Sequence, residues 1–457
     1  MNLTVEELAR VVGGVAEGVN PRAKVHGAAA DSRRVRPGDV FFALPGVRAD
    51  GHDFVAEALA AGATAAVVRR GVEVGDGPYI YVEDALQALG RAAGWVRDVF
   101  SPTVVGITGS TGKTSVKDLV ASIAGKRLKT VASEKSFNNE LGVPLTLLRT
   151  RLDTDVVMLE MGARGAGHIT DLCEIARPHI GILTNIGVTH YEQFGSAEAI
   201  ASAKTELVKA LPAGGAAILN ADDEKVMKMG SGLSAEVEVL TYGLSGGAWL
   251  RADGVRLDRM GRPTFRILRA SESVWVTLSV SGKHQVHNAL AASAGALALG
   301  LTLQDCRVGL ESALLSPWRM QVEGLRGAIL VNDAYNANPT SVTAALQTCA
   351  HMAEGGRLVA VLGHMAELGD LEHTEHRRIG ALAASLTDRL VVVGASAEPI
   401  AVGAKDAGMR EVAVVENAEQ AAEAVGKLES SDVVLVKGSR VAALERVIEI
   451  LRGGLGG

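Results

Sequence analysis

Cysteine is scarce in this chain. Three residues in 457, Cys173, Cys306 and Cys349, lie too far apart for a zinc-binding spacing, and their odd number fits no disulfide framework. They read as reduced core thiols of an intracellular protein. Long apolar runs are missing too. No stretch reaches the roughly 20 residues needed to span a bilayer. The first residues, MNLTVEELARVVGG, open directly into an amphipathic helical pattern without the charged and apolar regions of a signal peptide. A soluble cytoplasmic protein, not inserted in a membrane, is therefore expected. Charge is also modest, at 21% of residues, while 47% are hydrophobic, which argues against disorder. The net charge of −6 argues against general nucleic-acid binding but leaves room for a local basic pocket. No internal repeat is found, and the only low-complexity tract is the terminal GGLGG.

What is present is a succession of short apolar strands and helical patterns, and the length implies two to four domains. Residues 1–84 form a small α/β unit, with strands at 39–44 (DVFFAL) and 65–69 (AAVVR) and a helix at 54–62 between them. A helix over 85–100 leads into a central unit, 85–323. Its apolar strands at 103–108, 155–159, 180–184 and 216–219 alternate with helices, the pattern of a mostly parallel sheet. Residues 248–281 alternate apolar and polar around a turn at 258–263, which predicts antiparallel strands at one sheet edge. An Ala-rich helix over 286–299 follows. The third unit, 324–457, offers five strands, at 328–332, 358–362, 390–393, 412–415 and 433–436, in strict alternation with helices. That predicts a doubly wound, Rossmann-like α/β domain.

Residues 106–114 read GITGSTGKT, after a strand and before a helix. Gly109, Ser110, Thr111 and Gly112 let the backbone turn its N–H groups toward a phosphate, and the helix N-terminus adds partial positive charge. Lys113 reaches the terminal phosphates as a point charge, and the Thr114 hydroxyl suits magnesium. The loop is a shortened phosphate loop, because Ile107 stands where the first glycine of the strict pattern belongs. Further along, Glu160 ends the 155–159 strand. A carboxylate at the C-terminal end of a neighbouring parallel strand points into the nucleotide crevice, as a magnesium ligand or a general base. His190 lies just past the 180–184 strand and is placed to reach the same crevice. Lys204, within ASAKTE, is by itself an ordinary helix-surface lysine.

Taken in order, TGSTGKT (108–114), FNNELGVP (137–144), LEMGA (159–163), TNIGVTH (184–190), AKTEL (203–207), GKHQVHNALAA (282–292), PWRMQ (317–321) and NDAYNANPTS (332–341) resemble the Mur ligases over essentially the whole chain. These are ATP-dependent amide ligases that extend the peptide of the peptidoglycan precursor. DSRRVRPGDVFFALPGVRADGHDF (31–54) is similar to the first domain of two of them. DAYNANPTS, VLGHMAELG (361–369) and KGSR (437–440) look like the branch that adds a dipeptide. Two positions depart from the pattern: His364 stands where an aspartate is usual, and Gln285 replaces an asparagine.

The resemblance implies that ATP phosphorylates the terminal carboxylate of UDP-N-acetylmuramoyl-tripeptide, and that D-alanyl-D-alanine attacks the acyl phosphate. It implies a role in cell-wall biogenesis, and through it in cell shape and division; a monomer is expected, although the sequence does not settle the oligomeric state. Thr114 and Glu160 would hold one magnesium ion, and His190 and Lys204 a second, with Lys204 carbamylated because an ammonium cannot ligate a cation. Asn288 would contact adenine, Arg319 phosphate and Asp333 ribose, with Tyr335, Asn336 and Asn338 covering the nucleotide. Ser32, Arg33 and the turn Leu44-Pro45-Gly46 would take the uridine diphosphate, and Asn138 and Asn139 the sugar or peptide. His376, Lys437, Ser439 and Arg440 would take the dipeptide carboxylate. The alternatives are a sibling ligase with another amino-acid substrate, or a phosphate-loop protein that uses ATP as a switch and forms no bond.

Overall fold

The computed structural model describes residues 1, 3–46, 49–187, 189 and 191–453. Among them the strands form a nine-stranded, a six-stranded, a five-stranded and a two-stranded sheet. The five-stranded sheet belongs to the first unit. Gly27–Ala29, Asp39–Phe42, Ala65–Arg69 and Tyr79–Val82 run parallel, and Val15–Glu17 pairs antiparallel at the edge. Asp39–Phe42 is buried throughout, as expected of a parallel strand covered on both faces.

The nine-stranded sheet is the frame of the central unit. Thr103–Thr108 lies between Val156–Glu160 and Ile180–Leu183, all parallel. The chain therefore leaves this strand and returns on either side of it, which opens a crevice at the strand C-termini. Leu250–Leu257, Pro263–Arg269 and Glu272–Thr277 form the antiparallel edge expected from their alternation. The Ala-rich helix Gln285–Ala298 is buried except at His287 and Ala298. Its small side chains let it lie close against the helix Lys113–Ala124 within the core on that face.

The opposite face of the same sheet shares a core with the first unit. Leu8, Val40 and Ile80 belong to one apolar cluster with Val104, Val157 and Leu207. The third unit is doubly wound, with separate cores on the two faces of its sheet. One difference from expectation appears here. A sixth strand, Gln321–Leu325, pairs antiparallel with Ala328–Asn332, so the third sheet begins ahead of residue 324. Its burial pattern is mixed and it lies at a sheet edge, so it lacks the apolar run that reveals the inner strands. No helix among the described residues is long and apolar enough to cross a membrane.

Candidate active site

The helix Lys113–Ala124 begins where the glycine loop ends, with Gly112 at its N-cap in the left-handed region, φ +82°. A side chain at Gly112 would meet Asn288 Oδ1 at 2.5 Å, and one at Gly109, φ +146°, would meet Thr184 Oγ1 at 1.9 Å. Both glycines are thus required by close approach as well as by conformation. The loop is shaped from below by the segment after Ile180–Leu183. Asn185 Oδ1 accepts from Thr111 N–H at 2.9 Å, and its amide donates to Thr111 Oγ1 at 2.6 Å. The Ser110 hydroxyl donates to Gly187 C=O at 2.9 Å. Lys113 Nζ folds back to donate to Gly109 C=O at 2.7 Å.

Thr114 and Glu160 meet at the floor of the crevice. The Thr114 hydroxyl donates to Glu160 Oε2 at 2.7 Å, and both residues are buried. The other carboxylate oxygen accepts from Asn138 Nδ2 at 2.8 Å. A hydroxyl and a carboxylate on the ends of adjacent elements form a hard-oxygen donor set. It fits magnesium, which takes one or two protein oxygens and fills its shell with water and phosphate. His190 lies outside the described residues. Among those described, no group of three His, Cys, Asp or Glu side chains is placed to hold a metal.

Lys204, on the helix Ala197–Lys209, is not a surface lysine. It is 1% exposed and lines the cleft. Burial, and then the nearby Lys113 charge, bring its pKa down to about 7. Burial also lowers that of Lys113, with Glu160 opposing and Arg319 adding to the fall. His284, on the same cleft, is pushed down to about 4 by burial and stays neutral near pH 7, and its Nδ1 has no hydrogen-bond partner.

The cleft has a volume of about 1230 Å³ and is walled by the central and third units together. Ser110, Thr111, Gly112, Lys113, Thr114, Asn138, Asn139, Glu160, Lys204 and Asn288 line it from the central unit. Arg319, Asp333, Tyr335, Asn336, Asn338, Lys437, Ser439 and Arg440 line it from the third-unit side. Arg319 lies 4.2 Å over the Tyr335 ring, and its Nε is buried without a partner. The Asn288 amide donates to Gln285 Oε1 at 2.8 Å, so glutamine at this unusual position orients Asn288.

Several expected ligands are already engaged. Lys437 is buried and pairs with Asp333 Oδ2 at 2.6 Å, while Asp333 Oδ1 accepts from Met320 N–H at 3.0 Å. This ion pair welds two strand ends, which leaves neither group free for a carboxylate or a ribose without rearrangement. Asn338 caps the helix Pro339–Met352. His376 is a correction. It is fully buried, its Nδ1 donates to Glu372 C=O at 2.7 Å, and its Nε2 accepts from Met365 N–H at 3.0 Å. With both nitrogens used, it holds the loop after Leu358–Gly363 and does not face the cleft. His364 stacks on it at 5.3 Å. Ser439 keeps a buried hydroxyl without a partner, and Arg440 pairs with Glu445 at 2.6 Å beside it. Ser32 and Arg33 lie in a short helical turn of the first unit, outside the cleft lining, with Arg33 paired to Asp31 at 2.8 Å. Sequence reasoning gave Asn185 and His284 no role, although both stand inside motifs that it quoted.

With the phosphate loop facing a carboxylate in a cleft that two α/β units wall, the arrangement suits an enzyme that transfers a phosphoryl group from ATP. The chain belongs to the Mur ligase family. Three family descriptions match in succession: Mur ligase family, catalytic domain, over residues 24–94; Mur ligase middle domain, over 107–296; and Mur ligase, glutamate ligase domain, over 318–440. At full length the chain is similar to the UDP-N-acetylmuramoyl-tripeptide–D-alanyl-D-alanine ligase of Mycobacterium tuberculosis strain H37Rv. The two are 39% identical over 507 residues, covering 99% of this chain and 98% of that one. The enzyme of the same name from Escherichia coli K12 is 33% identical, covering 99% of each chain. Among solved structures, MurF from Acinetobacter baumannii matches with a TM-score of 0.90 at 29% identity, covering 99% of both chains. The MurF ligase from Thermotoga maritima in complex with ADP matches with a TM-score of 0.81 at 29% identity, over 94% of this chain and 97% of that one.

Proposed function

We propose that the chain joins D-alanyl-D-alanine to UDP-N-acetylmuramoyl-tripeptide at the expense of ATP, as a cytoplasmic step of peptidoglycan precursor synthesis. The supporting observation is a single cleft in which Lys113, Thr114 and Glu160 face Arg319, Tyr335 and Ser439 across two units. The full-length relatives carry the same reaction in their names.

A carboxylate is a poor electrophile, so the γ-phosphoryl group passes first to the tripeptide's terminal carboxylate, giving an acyl phosphate and ADP. The dipeptide amine then attacks the acyl carbon, a tetrahedral intermediate forms, and phosphate leaves as the amide is made. Such a transfer depends on positioning and charge neutralisation. Lys113 steadies the terminal phosphates, and Arg319 meets them from the third unit. Thr114 and Glu160 would hold magnesium, which supplies charge neutralisation to the phosphates when bound. Asn288 reads the adenine edge, and Ser439 with Arg440 takes the dipeptide carboxylate.

Lys204 carries the finer part of the reading. A pKa near 7 leaves much of the amine neutral at physiological pH. The neutral amine adds carbon dioxide, forming an N–C bond and releasing one proton, and the product is an anionic carbamate oxygen that suits a second magnesium ion. Incubation with ¹³C-bicarbonate is expected to give a carbamate carbon signal that Lys204→Met lacks. Identical spectra from the two proteins would refute the modification.

The activity is tested by phosphate release with UDP-N-acetylmuramoyl-tripeptide, in its lysine and diaminopimelate forms, with and without D-alanyl-D-alanine. Release that needs both substrates and yields a UDP-pentapeptide mass is expected. Folded protein that binds ATP but releases no phosphate with either form would refute the acceptor and dipeptide assignment.

A further inference from the structure

The helix that starts at Lys113 carries a second lysine one turn on, Lys117, and beside it Asp118. Neither enters the chemistry above. Lys117 is 2% exposed. Its ammonium donates to Ser133 C=O at 2.7 Å and Lys135 C=O at 3.1 Å, and pairs with Asp118 Oδ1 at 2.9 Å. The ammonium is thus held by two backbone carbonyls and one carboxylate. The other Asp118 oxygen accepts from the Ser316 N–H at 2.7 Å. A buried lysine is unfavourable unless it is paired and hydrogen-bonded, so this one is held for what it joins.

It joins two segments on which the cleft depends. The first is the loop 133–139, where all three units meet. Glu134 pairs with Arg34 of the first unit at 2.9 Å. The Ser136 hydroxyl contacts the Tyr335 hydroxyl of the third unit. Asn138 donates to Glu160, and the Ser133 hydroxyl accepts from the Glu160 N–H at 3.3 Å. Lys135 itself sits at φ +49°, a conformation that L side chains rarely adopt, with its carbonyl held by Lys117. The second segment is the crossing between units, where Trp318 and Met320 have φ of +65° and +48° and Arg319 enters the cleft.

We infer that Lys117 and Asp118 are a positioning pair that ties the seating of the phosphate-loop helix to the acceptor loop 133–139 and to the crossing at 316–320. Nucleotide binding pulls on the first turn of this helix. One turn later the pair passes that displacement to the loop whose Asn138 and Ser133 contact Glu160, and to the backbone that carries Arg319. The inference rests on the cleft being the nucleotide and acceptor site, and its first test uses nucleotide alone.

The test is hydrogen exchange on the full chain with and without ADP and magnesium. In the parent protein, protection is expected at 109–114 and also at 133–139 and 312–320. In Lys117→Met, protection at 109–114 should persist while that at 133–139 is lost. The KM for the UDP-tripeptide should rise at least tenfold, with ADP affinity within twofold of the parent. Protection confined to 109–114 in the parent, or a Lys117→Met protein matching the parent at 133–139, overturns the inference. A fall in ADP affinity equal to the rise in tripeptide KM overturns it as well, since that marks a general structural defect. Should Lys117→Met fail to fold, Asp118→Ala serves. It is expected to lose protection at 312–320 alone, and unchanged protection there overturns the inference. Because exchange is read without acceptor substrates, absence of ligase turnover would count against the proposed reaction and leave this result standing.

Discussion

Lys204 shows how far a single residue depends on its surroundings. The sequence places a lysine on a helix, and the fold buries its ammonium beside a second cation. A base whose pKa drops from 10.5 unfolded to about 7 folded binds fewer protons in the native state. Its burial therefore opposes folding below about pH 7, and the penalty fades as pH rises toward 10.5. In CO2-free buffer, Lys204→Met is expected to be more stable than the parent near pH 7, with the gap closing by about pH 10. Urea unfolding at both pH values measures this. If Lys204 carries the proposed carbamate, the same variant should also lose at least about a hundredfold in turnover. His376 is the opposite case. With both nitrogens committed to backbone groups, His376→Ala should destabilise by about 1–3 kcal/mol through unsatisfied buried partners. The KM for D-alanyl-D-alanine should stay within twofold, and a larger change in that KM would return His376 to the binding site.

At the scale of elements, the phosphate loop, its helix and the flanking strands were legible because glycine, lysine and apolar runs each act over a few residues. The strand Gln321–Leu325 was not, because an edge strand needs no continuous apolar pattern. Helix ends follow equally local rules. The helix Leu303–Glu311 begins with a capping box, in which the Thr302 hydroxyl accepts from the Asp305 N–H and the Asp305 carboxylate accepts from Thr302. Those bonds from Thr302, with Arg127 at 2.9 Å, bring the Asp305 pKa down to about 2. A depressed carboxylate pKa stabilises above the unfolded value of 3.8 and loses its contribution as pH falls toward about 2. Asp305→Ala is expected to destabilise by about 1 kcal/mol near neutrality. The deficit should shrink across that acidic window. A deficit constant with pH in denaturant titrations would mean that the cap is not the cause.

Across the whole molecule, the cleft lies between two units joined by one crossing segment, with its walls already in contact at Ser136 and Tyr335. Closing over ATP and the acceptor would exclude water from an acyl phosphate that hydrolyses readily. A smaller radius of gyration is therefore expected in solution scattering when nucleotide, UDP-tripeptide and magnesium are all present. Superimposable profiles with and without them would count against closure.

The sequence by itself determined the three α/β units, the phosphate loop and the ordered motifs that mark the family, because each is written in neighbouring residues or in strand-and-helix periodicity. It also marked Lys113, Thr114, Glu160 and Lys204. Only the tertiary structure decided what those groups meet. It turned Lys437 and Asp333 toward each other, withdrew His376 from the cleft, and brought Lys117 under a loop where all three units touch. Hydrogen bonds and burial between residues tens to hundreds of positions apart depend on how sheets and helices stack. No local pattern encodes that stacking, so charge and protonation at the site are properties of the assembled fold.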